Sequence, residues 1–234
     1  MTLDGTNTWV LRERGAQECI VVDPGPLDEA HLTRVLDVVR RDGGRVGLTL
    51  LTHDHSDHAD AAERFAHLSG APVRAIRAIG TGHDDLADGD SVSVGGLDLV
   101  VVTTPGHTSD SVSFLLPAEC AVLTGDTILG RGTTVVAWPD GELAAYLASL
   151  ARLEALCGSG AVARILPGHG PHLPDAGADV VVLHGLDDAA GHRLARFQKR
   201  HGRQPRRLRD LEEVDSEGGK PLLLGPASAD RLMW

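Results

Sequence analysis

Runs of β-forming residues alternate with runs of helical spacing along this chain, and the switches between them divide it into elements. Thr8–Leu11 and Cys19–Val22 are β-rich, lie either side of a polar turn and predict a hairpin. Asp23-Pro24-Gly25-Pro26 stops the second run. From Asp28 to Arg41 the spacing of Leu32, Val35, Leu36 and Val39 predicts an amphipathic helix, ended by Gly43-Gly44. Val46–Leu51 reads as a buried strand, Ala59–Leu68 as a helix and Val73–Ile76 as a strand. Ser91–Val94 and Leu97–Thr103 flank Gly95-Gly96 and predict a second hairpin. Val112–Leu116 and Ala121–Leu123 follow as strands. Glu142–Leu156 predicts a helix with Leu143, Leu147, Leu150 and Leu153 on one side, and Val162–Leu166 a last strand. Past about Ala178 the pattern decays. Val180–Leu183 is apolar, Asp187–Gln198 is weakly helical and Arg203 to Trp234 has no clear period, so the folded body is expected to end near residue 200.

Polar clusters follow four of the strands, where α/β architectures collect ligands. The strand at 48–51 delivers His53, Asp54, His55, Asp57 and His58. The strand at 99–103 delivers Pro105-Gly106-His107-Thr108, that at 121–123 delivers Gly125-Asp126-Thr127, and that at 162–166 delivers Pro167-Gly168-His169-Gly170. The segment Thr-His-Asp-His-Ser-Asp-His at residues 52–58 packs three imidazoles and two carboxylates into seven positions. Packing does not explain that density, because buried imidazoles and carboxylates without partners cost several kcal/mol each, on the order of 2–7.

Composition sharpens this picture in three ways. The 12 histidines are many for 234 residues and point to metal chemistry. The three cysteines, Cys19, Cys120 and Cys157, are too few and too scattered for a disulfide framework or a thiolate metal site, and suggest a reducing, cytoplasmic setting. Cys19 and Cys120 sit in apolar runs and read as small core residues. The formal net charge is −11, yet Arg193–Arg209 carries eight Lys and Arg and no acid. An acidic body disfavours non-specific nucleic-acid binding, and the basic run reads as a solvated helix or tail, with a short nucleic-acid-binding groove as the alternative. No apolar run approaches the roughly 20 residues that cross a bilayer, and Met1–Gly5 has no secretory character.

Counting donors favours two metals. His53, His55 and His107 could hold one zinc, Asp57, His58 and His169 a second, and Asp126 could bridge them. Two ions roughly 3.5–4 Å apart clamp the attacking and leaving oxygens of a hydrolysis. Zinc-bound water loses a proton near neutral pH, so no Ser, Cys or Thr nucleophile is needed. Iron or manganese are the other metals considered for this donor set; the absence of thiolates disfavours iron–sulfur clusters or Cu(I).

His-X-His-X-Asp-His followed by Gly-His-Thr, Gly-Asp-Thr and Pro-Gly-His-Gly resembles the metallo-β-lactamase-fold hydrolases, over roughly residues 5 to 175. The resemblance implies an α/β fold, a four-layer αββα sandwich, in a catalytic domain at 1–177 followed by an atypical tail at 178–234. It implies seven metal ligands: His53, His55, Asp57, His58, His107, Asp126 and His169, with Asp57 and Asp126 also the catalytic carboxylates. Asp54 and Ser56 fall on variable positions. Asp4-Gly5-Thr6-Asn7-Thr8 and the stretch from Gly125 to Thr134 look like the lactamase-β-like protein 2 group, which includes a single-strand-specific endoribonuclease. Relatives usually have a strand and an Asn-Pro-Gly-Pro stretch before the first motif, so Met1 is read as an internal methionine. They also continue into a small winged-helix-like domain. Its absence suggests a frame slip, since codons for Val182-Leu183-His184 can read Tyr-Tyr-Met one base later.

The resulting expectation is a metal-dependent hydrolase with two zinc ions, acting through a zinc-bound hydroxide on single-stranded RNA or on a small ester or thioester. Glyoxalase II-like thioester hydrolysis, a mononuclear-iron sulfur dioxygenase and a non-catalytic metal-binding relative are the alternatives. Thr108, Arg131, Thr133 and His172 are candidates for substrate contact or for support of the ligands. One of Ser109, Asp110 and Ser111 is expected to cap the next strand or bond a ligand imidazole. His83 reads as part of a solvated loop, with a place along the cleft as the alternative; Trp138 is placed near the cleft mouth, and His31 and His67 in surface or packing roles.

Overall fold

The computed structural model describes residues 5–76, 86–174 and 176, and the backbone of 211–214 and 222–224. His83, the apolar and weakly helical segments between 180 and 198, the basic run at 193–209 and Trp234 lie outside the described residues.

Two mixed sheets form the middle of the molecule. The first combines β1 (Thr8–Leu11), β2 (Glu18–Val22), β3 (Arg45–Leu50) and β4 (Val73–Arg74) with β10 (Leu211–Val214) and β11 (Leu222–Leu224), in the order β11-β10-β1-β2-β3-β4. The second runs β5 (Ser91–Val94), β6 (Leu97–Thr103), β7 (Val112–Leu116), β8 (Ala121–Gly125) and β9 (Arg164–Pro167) in sequence order. Both predicted hairpins form: β1 pairs antiparallel with β2, and β5 with β6. Helices α1 (Glu29–Arg40) and α3 (Ala62–Ser69) lie in the crossovers that join the parallel strands β2, β3 and β4; α4 (Leu143–Gly158) lies between the parallel β8 and β9.

Alternation along the strands builds the layers. Trp9, Leu11, Ile20, Val22, Leu48 and Leu50 face Leu99, Val101, Phe114 and Leu123 in the core between the sheets. The intervening Val10, Cys19 and Val21 face outward and pack on Leu32, Val35 and Leu36 of α1 and Phe65 of α3. Val46 and Leu48 would share a face if β3 were regular. The register slips beside Gly47, which leaves Val46 on the helix side and Leu48 in the central core. On the far side Val122, Val162 and Ile165 pack on Leu153 of α4. The result is the αββα sandwich. Asp28 caps α1, its carboxylate accepting from the backbone N–H of Ala30 and His31 at 2.8 and 3.2 Å, a contribution of about 1 kcal/mol.

Four expectations need correction. The helix predicted over 59–68 is two helices: α2 (Ser56–Ala59) begins inside the histidine cluster, and α3 starts after a break at Asp60–Ala61. The buried face of α4 is Tyr146, Ser149, Leu150 and Leu153, whereas Leu143 is 61 % exposed. Cys120 is not a core residue: it is half-buried at a left-handed turn. Finally, β10 and β11 extend the first sheet where no period was visible. Strands of four and three residues are too short to establish an alternation.

Candidate metal centre

The turns after β3, β6, β8 and β9 meet at one edge of the sandwich. Val112 N–H donates to Thr52 O at 2.8 Å and Gly168 N–H to Gly125 O at 2.8 Å, which lock these turns together. Two groups of donors converge there. His53, His55 and His107 form one, with His55 Nδ1 at 3.1 Å from His53 Nε2 and 3.0 Å from His107 Nε2. Asp57, His58 and His169 form the other: His58 Nε2 lies 3.3 Å from His169 Nε2, and Asp57 Oδ2 lies 3.3 Å from His169 Nε2. Asp126 stands between them, with Oδ2 at 3.7 Å from His107 Nε2 and 3.2 Å from His169 Nε2, and Oδ1 at 3.4 Å from His58 Nε2. The seven residues singled out in the sequence are therefore neighbours in space.

The outer nitrogens of these rings are already engaged. His107 Nδ1 meets Val135 O at 2.6 Å, His169 Nδ1 meets Gly5 O at 2.7 Å, and His58 Nδ1 meets Asp23 Oδ2 at 2.9 Å. Each contact places the proton on Nδ1 and turns the Nε2 lone pair inward. That is how ligand imidazoles are oriented for a cation. Nitrogens 3.0–3.3 Å apart with inward lone pairs suit a shared cation better than one another. Asp126 Oδ1 is buried and makes no hydrogen bond among the described residues. A Cβ on Gly168 would sit 2.5 Å from Asp126 Oδ1 and 2.8 Å from His58 Cε1, so only glycine keeps this space open. The donor set fits divalent cations.

Electrostatics separates the two groups. Burial pushes His53 and His107 below the ordinary histidine value, which keeps them neutral. Burial acts the same way on His58, but Asp23 and Asp126 overcome it and raise His58 to about 10. His169 is likewise raised, against burial, to about 9 by Asp126 and Asp57. Burial would raise the Asp57 and Asp126 carboxyls; contact with His169 and the charge of His58 hold both well below the ordinary carboxylate range. Without a cation, the anionic half of the cluster retains protons on His58 and His169.

Two supports were missed in the sequence. Asp23, read there as part of a strand-stopping turn, is 1 % exposed at φ +52°. Its Oδ1 accepts from Thr52 N–H at 2.8 Å, and its Oδ2 from Thr52 Oγ1 at 2.7 Å as well as facing His58. Thr52 Oγ1 in turn meets His53 Nδ1 at 3.0 Å, so one carboxylate orients imidazoles of both groups. The other support is the first described segment. Thr6 Oγ1 donates to Asp57 Oδ2 at 3.1 Å, while Asn7 Nδ2 donates to Pro167 O and Gly170 O at 3.1 and 2.8 Å. An apolar residue run ending in Asp beside Pro-Gly was the available signal for Asp23; Thr6 and Asn7 lie in the Asp4–Thr8 stretch that carries the family resemblance, but nothing in it marks their contacts.

Of the other candidates, Thr133 lines the cleft above the donors. Thr108 is buried and its hydroxyl meets Ser111 Oγ at 2.7 Å. Arg131 is exposed on the same loop as Thr133, and half-buried His172, kept low by burial, lies beyond the last motif. Ser109 bonds Asp140, through Oγ at 2.5 Å and N–H at 3.1 Å. His31 is fully buried, its Nε2 2.9 Å from Thr8 Oγ1.

A family model described as the metallo-beta-lactamase superfamily matches residues 1–169. The chain belongs to the metallo-beta-lactamase superfamily. It is 30 % identical over 223 residues to a beta-lactamase-like protein 2 homolog of Caenorhabditis elegans, covering 92 % of this chain and 69 % of that one. It is 35 % identical over 176 residues to an atrochrysone carboxyl ACP thioesterase of Aspergillus fumigatus, covering 73 % of this chain and 52 % of the relative. The chain thus spans about half the length of such fungal relatives. Among solved structures, ETHE1 from Myxococcus xanthus aligns with a TM-score of 0.63 at 27 % identity, over 73 % of each chain. TTHA1623 in a di-iron-bound form aligns with a TM-score of 0.61 at 24 % identity, over 76 % of this chain and 93 % of that one, a likeness of fold alone. No helix among the described residues is long and apolar enough to cross a membrane. Superfamily membership and these relatives mark the chain as hydrolase-like, with His and Asp clusters able to bind metal.

Proposed function

We propose that this chain is a binuclear metallo-hydrolase of small ester or thioester substrates, with zinc as its metal, working in the cytoplasm. His53, His55 and His107 would hold one ion, Asp57, His58 and His169 the other, and Asp126 would lie between them. When bound, two such ions supply an activated water at neutral pH and polarise the scissile carbonyl. The residues supply the rest. Asp57 faces the cleft as an anion, braced by Thr6, and can orient water. In the net reaction the acyl C–S bond breaks, a C–O bond to the water oxygen forms, and a proton passes to the departing thiolate. None of Cys19, Cys120 and Cys157 is in a disulfide, which accords with a reducing compartment.

The observation that carries the choice of substrate is the cleft itself. Its volume is about 360 Å³, within the usual range for small-molecule sites. Beyond the metal-facing donors it is walled by Leu129, Val135 and Ala137 with Thr133 and Thr134, and among the described residues no Lys or Arg lines it. A single-stranded RNA site needs cations along the backbone and aromatic stacking platforms. Similarity to a protein named as an ACP thioesterase points the same way.

The test is a panel on the zinc-loaded chain: an acyl-N-acetylcysteamine thioester, an acyl-glutathione and single-stranded RNA, each with a chelator control. Chelator-sensitive thioester hydrolysis is expected. RNA cleavage without thioesterase activity would reverse the choice, and one iron per chain with no zinc would favour the dioxygenase alternative.

A further inference from the structure

We infer that Thr134 and Tyr146 are positioning residues for the first half of the centre: their hydroxyls fix the backbone at Asp126, Thr127 and Val135, and through it the His107 ring and the Asp126 carboxylate. The inference rests on the binuclear reading above and names two side chains that would support its metal site without being ligands.

Three observations carry it. The first is where the Thr134 hydroxyl points its proton. Thr134 lines the cleft together with His107 and Asp126. A threonine hydroxyl has one proton to give. Here Asp126 O lies at 2.8 Å to receive it, with Thr127 O farther off at 3.4 Å. The proton is thus committed to the main chain that carries the shared carboxylate, and the bond ties the cleft wall to it.

The second observation concerns the residue that follows. Val135 O accepts from His107 Nδ1 at 2.6 Å, the contact that turns Nε2 inward. Val135 is 62 % exposed, and Thr133 and Ala137 on either side are exposed as well. Little packing holds this carbonyl in place, and segments with few buried contacts open easily. The Thr134 hydroxyl, one residue away and bonded onward to Asp126, supplies the fixed point. One side chain thereby steadies both the Asp126 backbone and the acceptor of His107.

The third is Tyr146, near the start of α4. Its side chain is buried and its hydroxyl donates to Thr127 O at 3.0 Å. A buried phenol needs such a partner, and this one takes the carbonyl next to that of Asp126. The helix is also clamped to the turn that carries His107. Glu142 N–H donates to Gly106 O at 2.9 Å, and Ser149 Oγ to Pro105 O at 2.7 Å. Gly106, at φ +137°, lies so close to the helix that a Cβ there would collide with the Tyr146 backbone. Tyr146 therefore spans from the His107 turn to the Asp126 turn, and Thr134 closes the triangle through Val135.

The test uses the full chain with zinc alone. Thr134→Val and Tyr146→Phe each delete a hydroxyl at nearly constant shape. Competition with a coloured chelator reads the affinity of the weaker zinc, expected in the half with the exposed His55. Heteronuclear NMR of the histidine rings in the metal-free chain reads the tautomer of His107, assigned by its loss in His107→Gln. Thr134→Val should weaken the weaker zinc by about tenfold to a hundredfold, the usual reach of groups that support a ligand, and the tighter zinc by less than about threefold. It should also mix the His107 tautomers. Tyr146→Phe should weaken the same ion by about threefold to tenfold, the loss of one hydrogen bond. Thr134→Ser should restore both readouts to their native values. Thr33→Val, which removes a hydroxyl bonded to Glu29 O on the exposed face of α1, should move neither. If Thr134→Val does not fold, Tyr146→Phe decides by the same two readouts. Native affinity for the weaker zinc and a single His107 tautomer in these variants would overturn the positioning roles and leave the binuclear reading standing. If the native chain takes up fewer than two zinc ions, that reading falls and the inference falls with it.

Discussion

The two halves of the candidate centre are built to different standards. His58 and His169 are fully buried and anchored from behind by a buried carboxylate and a backbone carbonyl. His55 is exposed, and His107 half-buried, its anchor being the Val135 carbonyl of a surface loop. The first half contains imidazoles alone, with burial keeping His53 and His107 neutral; the second combines Asp57 with imidazoles that stay protonated until a cation replaces the protons. The contrast teaches that both imidazoles of one half are set in the core, whereas two of the three in the other, His55 and His107, stand in the cleft. Metal in the second half should be retained more tightly, and metal in the first should exchange more freely.

Removing the shared carboxylate should have the largest effect. Asp126→Asn keeps the shape and deletes the anion that faces both halves. Repulsion between two cations then rises by several kcal/mol, even at an effective dielectric near 20. We expect loss of one metal and at least a hundredfold of turnover, with the circular dichroism spectrum unchanged; two metals and full turnover would remove Asp126 from between them.

Asp23→Ala should come next and bear unequally on the two halves. It strips a direct partner from His58 but reaches His53 only through Thr52. Breaking a buried pair of this kind costs about 3–5 kcal/mol, measurable by urea melts. Asp23→Asn tolerates the left-handed backbone and isolates the charge. Metal analysis of that variant should show depletion in the second half first, and equal depletion of both would cancel the asymmetry.

Chelation comes third. Bound metal should stabilise the native state by about 3 kcal/mol at a hundredfold excess over its Kd. The sign of its pH dependence follows from the raised histidines. In the metal-free chain the stability due to protonated His58 and His169 is complete below their unfolded value of 6.5 and is lost as pH rises through about 9 and 10. Metal needs those same nitrogens unprotonated. The gain in Tm on adding zinc should therefore be larger at pH 8.5 than at pH 6. A gain that shrinks with rising pH, or a Tm indifferent to chelator, would contradict a preformed site. Smallest of all should be Asp54→Asn, an exposed change inside the same cluster. If it damages metal content more than Asp126→Asn does, the ligand register along 53–58 must be redrawn.

Much of this centre could be read in the chain because its donors are local. Three imidazoles and a carboxylate fall within six residues, and each remaining donor follows an apolar strand and sits beside a glycine. Both hairpins were legible for the same reason. Asp23 was not, since an Asp before Pro-Gly looks like any turn, and its value lies in contacts to Thr52 and His58. Leu143 misled because it stands in the first turn of α4, off the helix's buried face. Cleft chemistry depends on where a chain folds back, and short-range patterns do not encode that.

The bonds between Asn7 and the turn that holds His169 span 160 and 163 residues of sequence. Trp9 Nε1 adds another to Pro167 O at 3.1 Å, across 158 residues. Contacts of such separation form late, because loop closure must come before any gain from them. The buried half of the centre is thus completed only when the two ends of the sandwich meet. Rapid metal capture during refolding should lag behind the appearance of sheet structure. A nascent chain released before residue 169 would carry a nearly complete histidine cluster yet lack the closure that holds a second ion.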